Sequence, residues 1–327
     1  GVLEKMGVSA AWGAGDWFAL EACEYDRSFL NYDPTVSVVT NVDADHMDYY
    51  KTFEAVQEAF CRFVEKTRPE GMVILPAEDF STPMLKKVSR ARVQTTGLSA
   101  GADWRADAIE AGVDGHRFHL VGPTGDLGLF RIGLCGTHNV RNAVQAIAAS
   151  VACGVGIDAV REQAAGYRGV ERRAQAIGQV RGAPVVSDYG HHPAELSATF
   201  QALRQRFPGR RLRVVFQPHQ YSRTAYLFED FVKVLAGGPD ELILAPIYGA
   251  RRDGSSPEAS SEDLEAAIRK AGGNCRLIGD FPGIVEALAA SAGKGDVVAI
   301  VGAGDIVRVG EDLVAEHGEP SDDVGRA

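Results

Sequence analysis

The 327-residue chain is 45% hydrophobic, long enough for two domains that each bury a core. Its formal net charge of −10 argues against binding a nucleic-acid backbone as its main role, while leaving room for a local basic pocket that takes a small phosphorylated ligand. Cys23, Cys61, Cys135, Cys153 and Cys275 form no C-x-x-C pair and read as reduced cytosolic thiols; apolar runs such as "VVAIVGAG" are too short for a bilayer, and no secretory signal is visible.

In chain order, "WFALEACEY" and "VSVVTNVDADH" read as buried strands ending in polar residues. "TFEAVQEAFCRFVEKT" reads as an amphipathic helix with Phe53, Val56, Phe60 and Phe63 on one face. "GMVILPAED" is another buried strand, and residues 102–133 are short strands broken by Gly, Pro and Asp, a hairpin-rich insert. A helix follows at "THNVRN", with a Thr or Asn expected as its cap. After a change of pattern near "ERRAQAIGQ", strand and helix alternate. "APVVSDYG", "LRVVFQP", "ELILAPI", "CRLIG" and "DVVAIVGAG" are strands, and "TAYLFEDFVKVLA" and "SSEDLEAAIRKAGG" are among the helices between them. That alternation predicts an α/β fold with an open, mostly parallel sheet covered by helices. The expected domains are 1–178 and 179–327, and the tail "GEPSDDVGRA" is expected to fray.

Open α/β sheets bind ligands at the carboxyl ends of their strands, so polar clusters behind apolar runs carry weight. Glu21, Glu24 and Asp26 in "EACEYDRSF" could ligate a hard cation such as Mg2+, or be a solvated strand end. Asp43, Asp45, His46 and Asp48 in "TNVDADHMDYY" could bind metal or exchange protons. His138, Asn139 and Asn142 open the helix of "LCGTHNVRNAVQAIAAS". Capping explains one Asn, whereas two amides and an imidazole could read the edge of a base. Paired arginines in "GVERR" could clamp a phosphate, or be a surface pair. Asp188, Tyr189, His191 and His192 in "SDYGHHPAE" suit a ribose hydroxyl and a base, and His219 and Arg223 in "FQPHQYSRT" follow the next strand. "GAGDI" is a Gly turn that need not touch a nucleotide.

Taken in this order, "EACEYDRSF", "TNVDADHMDYY", "GTHNVRNA", "GVERR", "DYGHHPAE" and "FQPHQYSRT" resemble the Mur ligase family, and the last two point to its alanine-adding branch. The resemblance implies a partial central ATP-binding domain followed by a Rossmann-like C-terminal domain. It implies an ATP-dependent ligase that joins L-alanine to the carboxylate of UDP-N-acetylmuramate through an acyl phosphate, in the cytoplasm. By the same resemblance Glu24 and His46 hold Mg2+. His138, Asn139 and Asn142 contact ATP, with Asn142 at the adenine edge, and Arg173 reaches the ATP phosphates. Asp188 and Tyr189 touch ribose and adenine, while His191, His192, His219 and Arg223 line the substrate side; Arg173, His192, His219 and Arg223 are the expected catalytic set.

The sequence departs from the family in one large respect. No G-K-[ST] phosphate loop occurs, and the one Gly-Lys pair, Gly293-Lys294, precedes a Gly. With Gly rather than Met at position 1, the expectation is a truncated ligase, inactive as given and weak in ATP binding. Ala174 stands where an aromatic is usual, and Phe60 lies near the place of a modified lysine that the alanine-adding branch commonly lacks. Three alternatives remain: a recycling ligase that attaches a whole tripeptide, a non-catalytic binding module, and an NAD-dependent dehydrogenase. The last lacks a full G-x-G-x-x-G after its first strand.

Overall fold

The computed structural model describes residues 2, 7–249 and 259–319. The chain divides into two units, Ala10–Arg168 and Gly169–Ala327, the second joined by Gly1–Ser9. The division precedes the expected 178/179 boundary. A strand unmarked in the sequence pattern, Gln175–Val180, pairs antiparallel with Ala183–Asp188 and so draws the junction into the second unit.

In the first unit, a 3-10 helix at Tyr25–Asn31 leads to β1 (Val36–Val38), α1 (Met47–Tyr50), α2 (Phe53–Glu65), β2 (Met72–Pro76), α3 (Thr82–Val88) and β3 (Arg92–Gly97). Then come β4 (Trp104–Gly112), β5 (Gly115–Gly122), β6 (Gly125–Ile132), α4 (Thr137–Ala152) and α5 (Ile157–Gly166). The sheet runs β1-β2-β3-β4-β5-β6, parallel through β4 and antiparallel thereafter, so the hairpin insert expected over 102–133 extends a parallel sheet. Thr52 caps α2 by accepting from the Ala55 N–H at 3.2 Å. Val56 and Phe63 are buried on the face the periodicity predicted, and Phe29 stacks on Phe63 at 4.9 Å. α4 buries Val140, Val144, Ile147 and Ala148 against Ile74, Trp104, Phe118 and Phe130. Each fully buried side chain of this kind contributes about 1.5–3 kcal/mol.

The reading of "WFALEACEY" as a buried strand is corrected. Residues 17–24 are irregular, Trp17 and Phe18 are exposed, and no described strand pairs with them. An apolar run without periodicity does not by itself carry a pairing partner.

The second unit contains β7 (Gln175–Val180), β8 (Ala183–Asp188), α6 (Pro193–Arg206), β9 (Arg211–Phe216), α7 (Tyr221–Tyr226), α8 (Phe228–Gly237) and β10 (Glu241–Leu244). After these come α9 (Ser261–Lys270), β11 (Cys275–Leu277), α10 (Phe281–Ser291), β12 (Asp296–Val301) and α11 (Val307–His317). The helix expected over "TAYLFEDFVKVLA" is two, broken at Leu227. The sheet order is β11-β10-β9-β12-β8-β7, parallel except for β7. The chain steps outward from β9 to β11 and returns to place β12 between β9 and β8, which makes that junction the topological switch point.

Every residue of β12 is buried, and its side chains alternate between two cores. Val297, Ala299 and Val301 face Leu196, Phe200, Phe231 and Ile268; Val298 and Ile300 face Ile284, Leu288, Val309 and Leu313. Gly178 admits α11: a Cβ there would lie 2.5 Å from Val314 Cγ1. At the amino ends of the strands, Arg213 is 2% exposed. It pairs with Glu241 at 3.0 Å, donates to Ser291 Oγ at 2.7 Å and lies 3.6 Å from Asp296. Arg211 bonds Asp296 from outside at 2.9 Å. Of the expected frayed tail, only residues 318 and 319 lie within the described residues. Gly318 bridges to Val180 and the Glu319 N–H donates to Gln179 O at 3.2 Å. No helix among the described residues is long and apolar enough to cross a membrane.

Candidate active site

In the first unit, the turn after the irregular stretch and the loop after β1 bring Glu24 and His46 together. His46 Nε2 is 3.2 Å from Glu24 Oε1 and 3.8 Å from Asp45 Oδ2. The contact holds the Glu24 carboxyl below its usual range, chiefly through the hydrogen bond from His46 and against the opposing effect of burial. His46 is left-handed (φ 55°), as are Asp26 and Arg27 beside Glu24, an arrangement that costs energy in non-glycine residues. The Tyr50 hydroxyl donates to Glu24 O and packs the two segments together. One donor atom each from Glu24, Asp45 and His46 lies within 4.8 Å of the others. Two carboxylates and an imidazole in that space fit a divalent cation, which would take the place of the contact between His46 and Glu24.

The start of α4 is built differently from expectation. Its N-cap is Gly136 at φ 91°, not Thr137 or an Asn, and no side chain caps it. Asn139 Nδ2 donates back to Cys135 O at 2.8 Å, so one of this amide's two N–H donors secures the loop. Asn142, one turn on, is exposed; His138 is half-buried on the same side of the helix. Sequence reasoning missed Gln145. It is buried and donates to Val39 O at 3.1 Å, tying α4 to the chain leaving β1. A lone amide within the apolar stripe Val140-Val144-Ile147 was its signal.

In the second unit, the loops after β8, β9, β10 and β12 meet at the carboxyl edge, where the switch point predicts a ligand crevice. Tyr189, His191, His219 and Tyr248 form a chain of rings with centroids 5.6, 6.2 and 5.4 Å apart, His219 stacking on Tyr248. Arg223 is buried and donates to His219 O at 3.3 Å. Arg172 and Arg173 lie 4.8 and 5.7 Å from the Tyr189 ring centre. Arg172 also donates to Gly302 O at 2.6 Å and Gly304 O at 3.1 Å, so this arginine latches the 169–174 segment to "GAGDI". The Gly304 position has no room for a side chain, since a Cβ would lie 2.5 Å from Gln217 Oε1. The Gly turn therefore packs closely on Gln217 and Tyr248.

Two residues expected at the ligand also make contacts inside the protein. The Asp188 carboxylate accepts from Ala174 N (2.8 Å), Gly190 N (2.8 Å) and Thr199 Oγ1 (3.1 Å), and burial pushes its pKa up. His192 Nδ1 caps α6 by accepting from Ala194 N at 3.3 Å, and its Nε2 is buried. It is His191 that joins the ring chain. A cleft of about 310 Å3 is lined by Tyr221, which lies within "FQPHQYSRT", and by Pro246, Ile247, Ser261 and Leu277.

Comparison with known proteins agrees with this layout. Residues 10–150 match the Mur ligase middle domain family, and residues 172–304 match the Mur ligase, glutamate ligase domain family. The chain is 36% identical over 322 residues to UDP-N-acetylmuramate–L-alanine ligase of Desulfosudis oleivorans, covering 96% of this chain and 69% of that protein. It is 37% identical over 316 residues to the ligase of the same name from Aquifex aeolicus, covering 97% and 68%. The crystal structure of the UDP-N-acetylmuramate-alanine ligase from Thermotoga maritima superposes with a TM-score of 0.71 at 23% identity, over 88% of this chain and 61% of that one. The MurF ligase of Thermotoga maritima in complex with ADP gives 0.67 at 18% identity, over 89% and 64%. The chain thus spans less than two thirds of each of these two solved structures. Both domain families match in order, and more than a third of the residues are shared with named ligases over nearly the whole chain, so the chain belongs to the Mur ligase family.

Proposed function

We propose that this chain forms the nucleotide-side and amino-acid-side domains of an ATP-dependent ligase that joins L-alanine to the carboxylate of UDP-N-acetylmuramate in peptidoglycan precursor synthesis. A carboxylate is a poor acyl donor. Transfer of the ATP γ-phosphoryl group gives an acyl phosphate and ADP. The alanine amine then attacks the acyl carbon, the C–N bond forms, phosphate departs and the nitrogen loses its proton. Mg2+ at Glu24, Asp45 and His46 would offset charge on the transferring phosphoryl group. Arg173 supplies a cation toward the phosphates. His138, Asn139 and Asn142 contact ATP, with Asn142 at the adenine edge, and Tyr189 is an adenine contact. His191, His219 and Arg223 form the amino-acid side. Asp188 acts through Ala174 and the loop after β8, and His192 through the N-terminus of α6. The reading places the protein in the cytoplasm, consistent with five free thiols.

One observation carries this. Arg173, Tyr189, His191, His219 and Arg223, drawn from three separate motifs, gather at one sheet edge in a chain 36% identical to L-alanine ligases. The G-K-[ST] loop is not in these 327 residues, so turnover by these residues alone is not expected. The test has two parts. Calorimetry measures ADP binding to the chain with and without Mg2+, and phosphate release is measured for the gene product that carries the chain. Release that depends on both UDP-N-acetylmuramate and L-alanine supports the reading. Release with a tripeptide but not with L-alanine moves it to the recycling ligase. No ADP binding and no release with either amine refutes it.

A further inference from the structure

One carboxylate gathers the loop after β8, the segment before β7 and the first turn of α6. Glu195 Oε2 accepts from the backbone N–H of His191 at 2.9 Å and of His192 at 3.2 Å. The same oxygen lies 3.3 Å from His191 Nδ1. The other oxygen accepts from Arg173 Nη1 at 3.2 Å. The backbone contacts are half of a capping box, with His192 as the N-cap and Glu195 at the third helical position. A glutamine there makes the same box, so capping does not require the charge. The charge is used by the other two partners, a guanidinium and an imidazole.

Those partners are held from two sides. Arg173 lies between Glu195 and the face of Tyr189, with its guanidinium carbon 5.7 Å from the ring centre. His191 Nδ1 faces both Glu195 Oε2 and Tyr189 O, the latter at 3.2 Å. Two acceptors on one ring nitrogen place the proton of the neutral ring there, which sets the tautomer and the ring plane. Burial alone would raise the Glu195 carboxyl. The His191 ring and N–H and the Arg173 charge outweigh it and hold the group below its usual range.

We propose that Glu195 is a positioning residue for the ligation. Its carboxylate fixes Arg173 on the phosphate side and His191 on the amino-acid side, so that both are set by one group. The proposal rests on the function proposed above for the roles of those two residues; the geometry of the pair does not depend on it.

The test uses Glu195→Gln in the 327-residue chain, because glutamine keeps the capping box and removes the charge. The expected melting temperature stays within about 2 °C of the unsubstituted chain. The His191 ring, assigned by the signal missing in His191→Gln, is expected to titrate about one pH unit lower in an NMR titration. ADP affinity should weaken about tenfold, and Arg173→Ala/Glu195→Gln should bind no more weakly than Arg173→Ala alone. An unmoved His191 titration overturns the proposal, as does an affinity loss that adds fully to that of Arg173→Ala. If the unsubstituted chain binds no ADP, the His191 titration alone decides whether Glu195 positions that ring.

Discussion

Asp188→Asn separates two uses of one buried carboxylate. The sequence suggests a ribose contact, whereas in the structure both oxygens are engaged within the protein. Oδ1 accepts from Gly190 N and Thr199 Oγ1, and Oδ2 accepts from Ala174 N. An asparagine has one carbonyl oxygen, which the two-donor side would take, turning its NH2 toward the Ala174 N–H. One charge-assisted hydrogen bond, about 1.5–3 kcal/mol, is then lost. Removing a charge whose pKa burial has pushed up returns part of that cost. The net expectation is a destabilisation of about 1–2 kcal/mol, which for a unit of this size lowers Tm by about 2–8 °C. The loss should be local, with Ala174 and its neighbours exchanging amide hydrogens faster while the helices of the first unit are unchanged. Differential scanning calorimetry with peptide-resolved hydrogen exchange measures both. A variant with unchanged Tm and unchanged exchange at residues 172–175 would refute this reasoning; lost ADP affinity in that same variant would return Asp188 to the nucleotide.

Arg213→Ala should cost about 3–5 kcal/mol in urea unfolding, because it leaves the buried Asp296 and half-buried Glu241 short of a cation and opens a void; a loss under 1 kcal/mol would mean that Arg211 and Arg276 suffice. Mn2+ binding, followed by electron paramagnetic resonance, should weaken at least about tenfold in Glu24→Gln and in His46→Ala, and should fade on acidification as His46 takes a proton. Because the Glu24 carboxyl is depressed in the folded state, its stabilising contribution is present above its ordinary value of 4.5 and is lost as pH falls through its lower folded value; solvent screening at 35% exposure keeps that contribution small. In the native chain Cys275 should be the last thiol to react with a disulfide reagent, since it is buried with its pKa pushed up to about 12, whereas Cys23 is exposed; Cys275→Ser identifies the slow phase.

The parallel sheet of the second unit was legible because each of its core strands is a short apolar run bounded by Gly, Pro or Asp. β12, buried on both faces, is the plainest case. β7 was not legible. It is an edge strand with a bulge between Ala176 and Gly178 and five half-buried residues, so neither alternation nor an apolar run marks it. Periodicity found α2, yet it could not show that Leu227 breaks the helix after β9. Among the site residues, the contact between Glu24 and His46 was anticipated only by resemblance, since they are 22 positions apart and local pattern carries no information over that distance. Of the paired histidines, both were expected on the substrate side and His192 in the catalytic set. Which one caps and which one faces the ring chain depends on the backbone at the entry to α6, where His192 is extended (φ −108°, ψ 145°) with its ring turned back on the helix. Glu195 carried a local signal, three positions after an N-cap, that the reading passed over.

The closure of Gly318 on Val180 and of Glu319 on Gln179 sets the last helix of the second unit against its first strand. The exit at residue 319 therefore lies beside Gln179, four residues along the strand from its entry at Gln175, a span of about 13 Å. A short linker from residue 319 to residue 175, with new termini cut in the surface loop at Pro208–Gly209, would give a circular permutant that keeps every strand neighbour of the sheet. In such a permutant the sheet would be retained while Arg172 and Arg173 are cut away, which allows the sheet to be studied without the segment that Arg172 latches to the loop after β12.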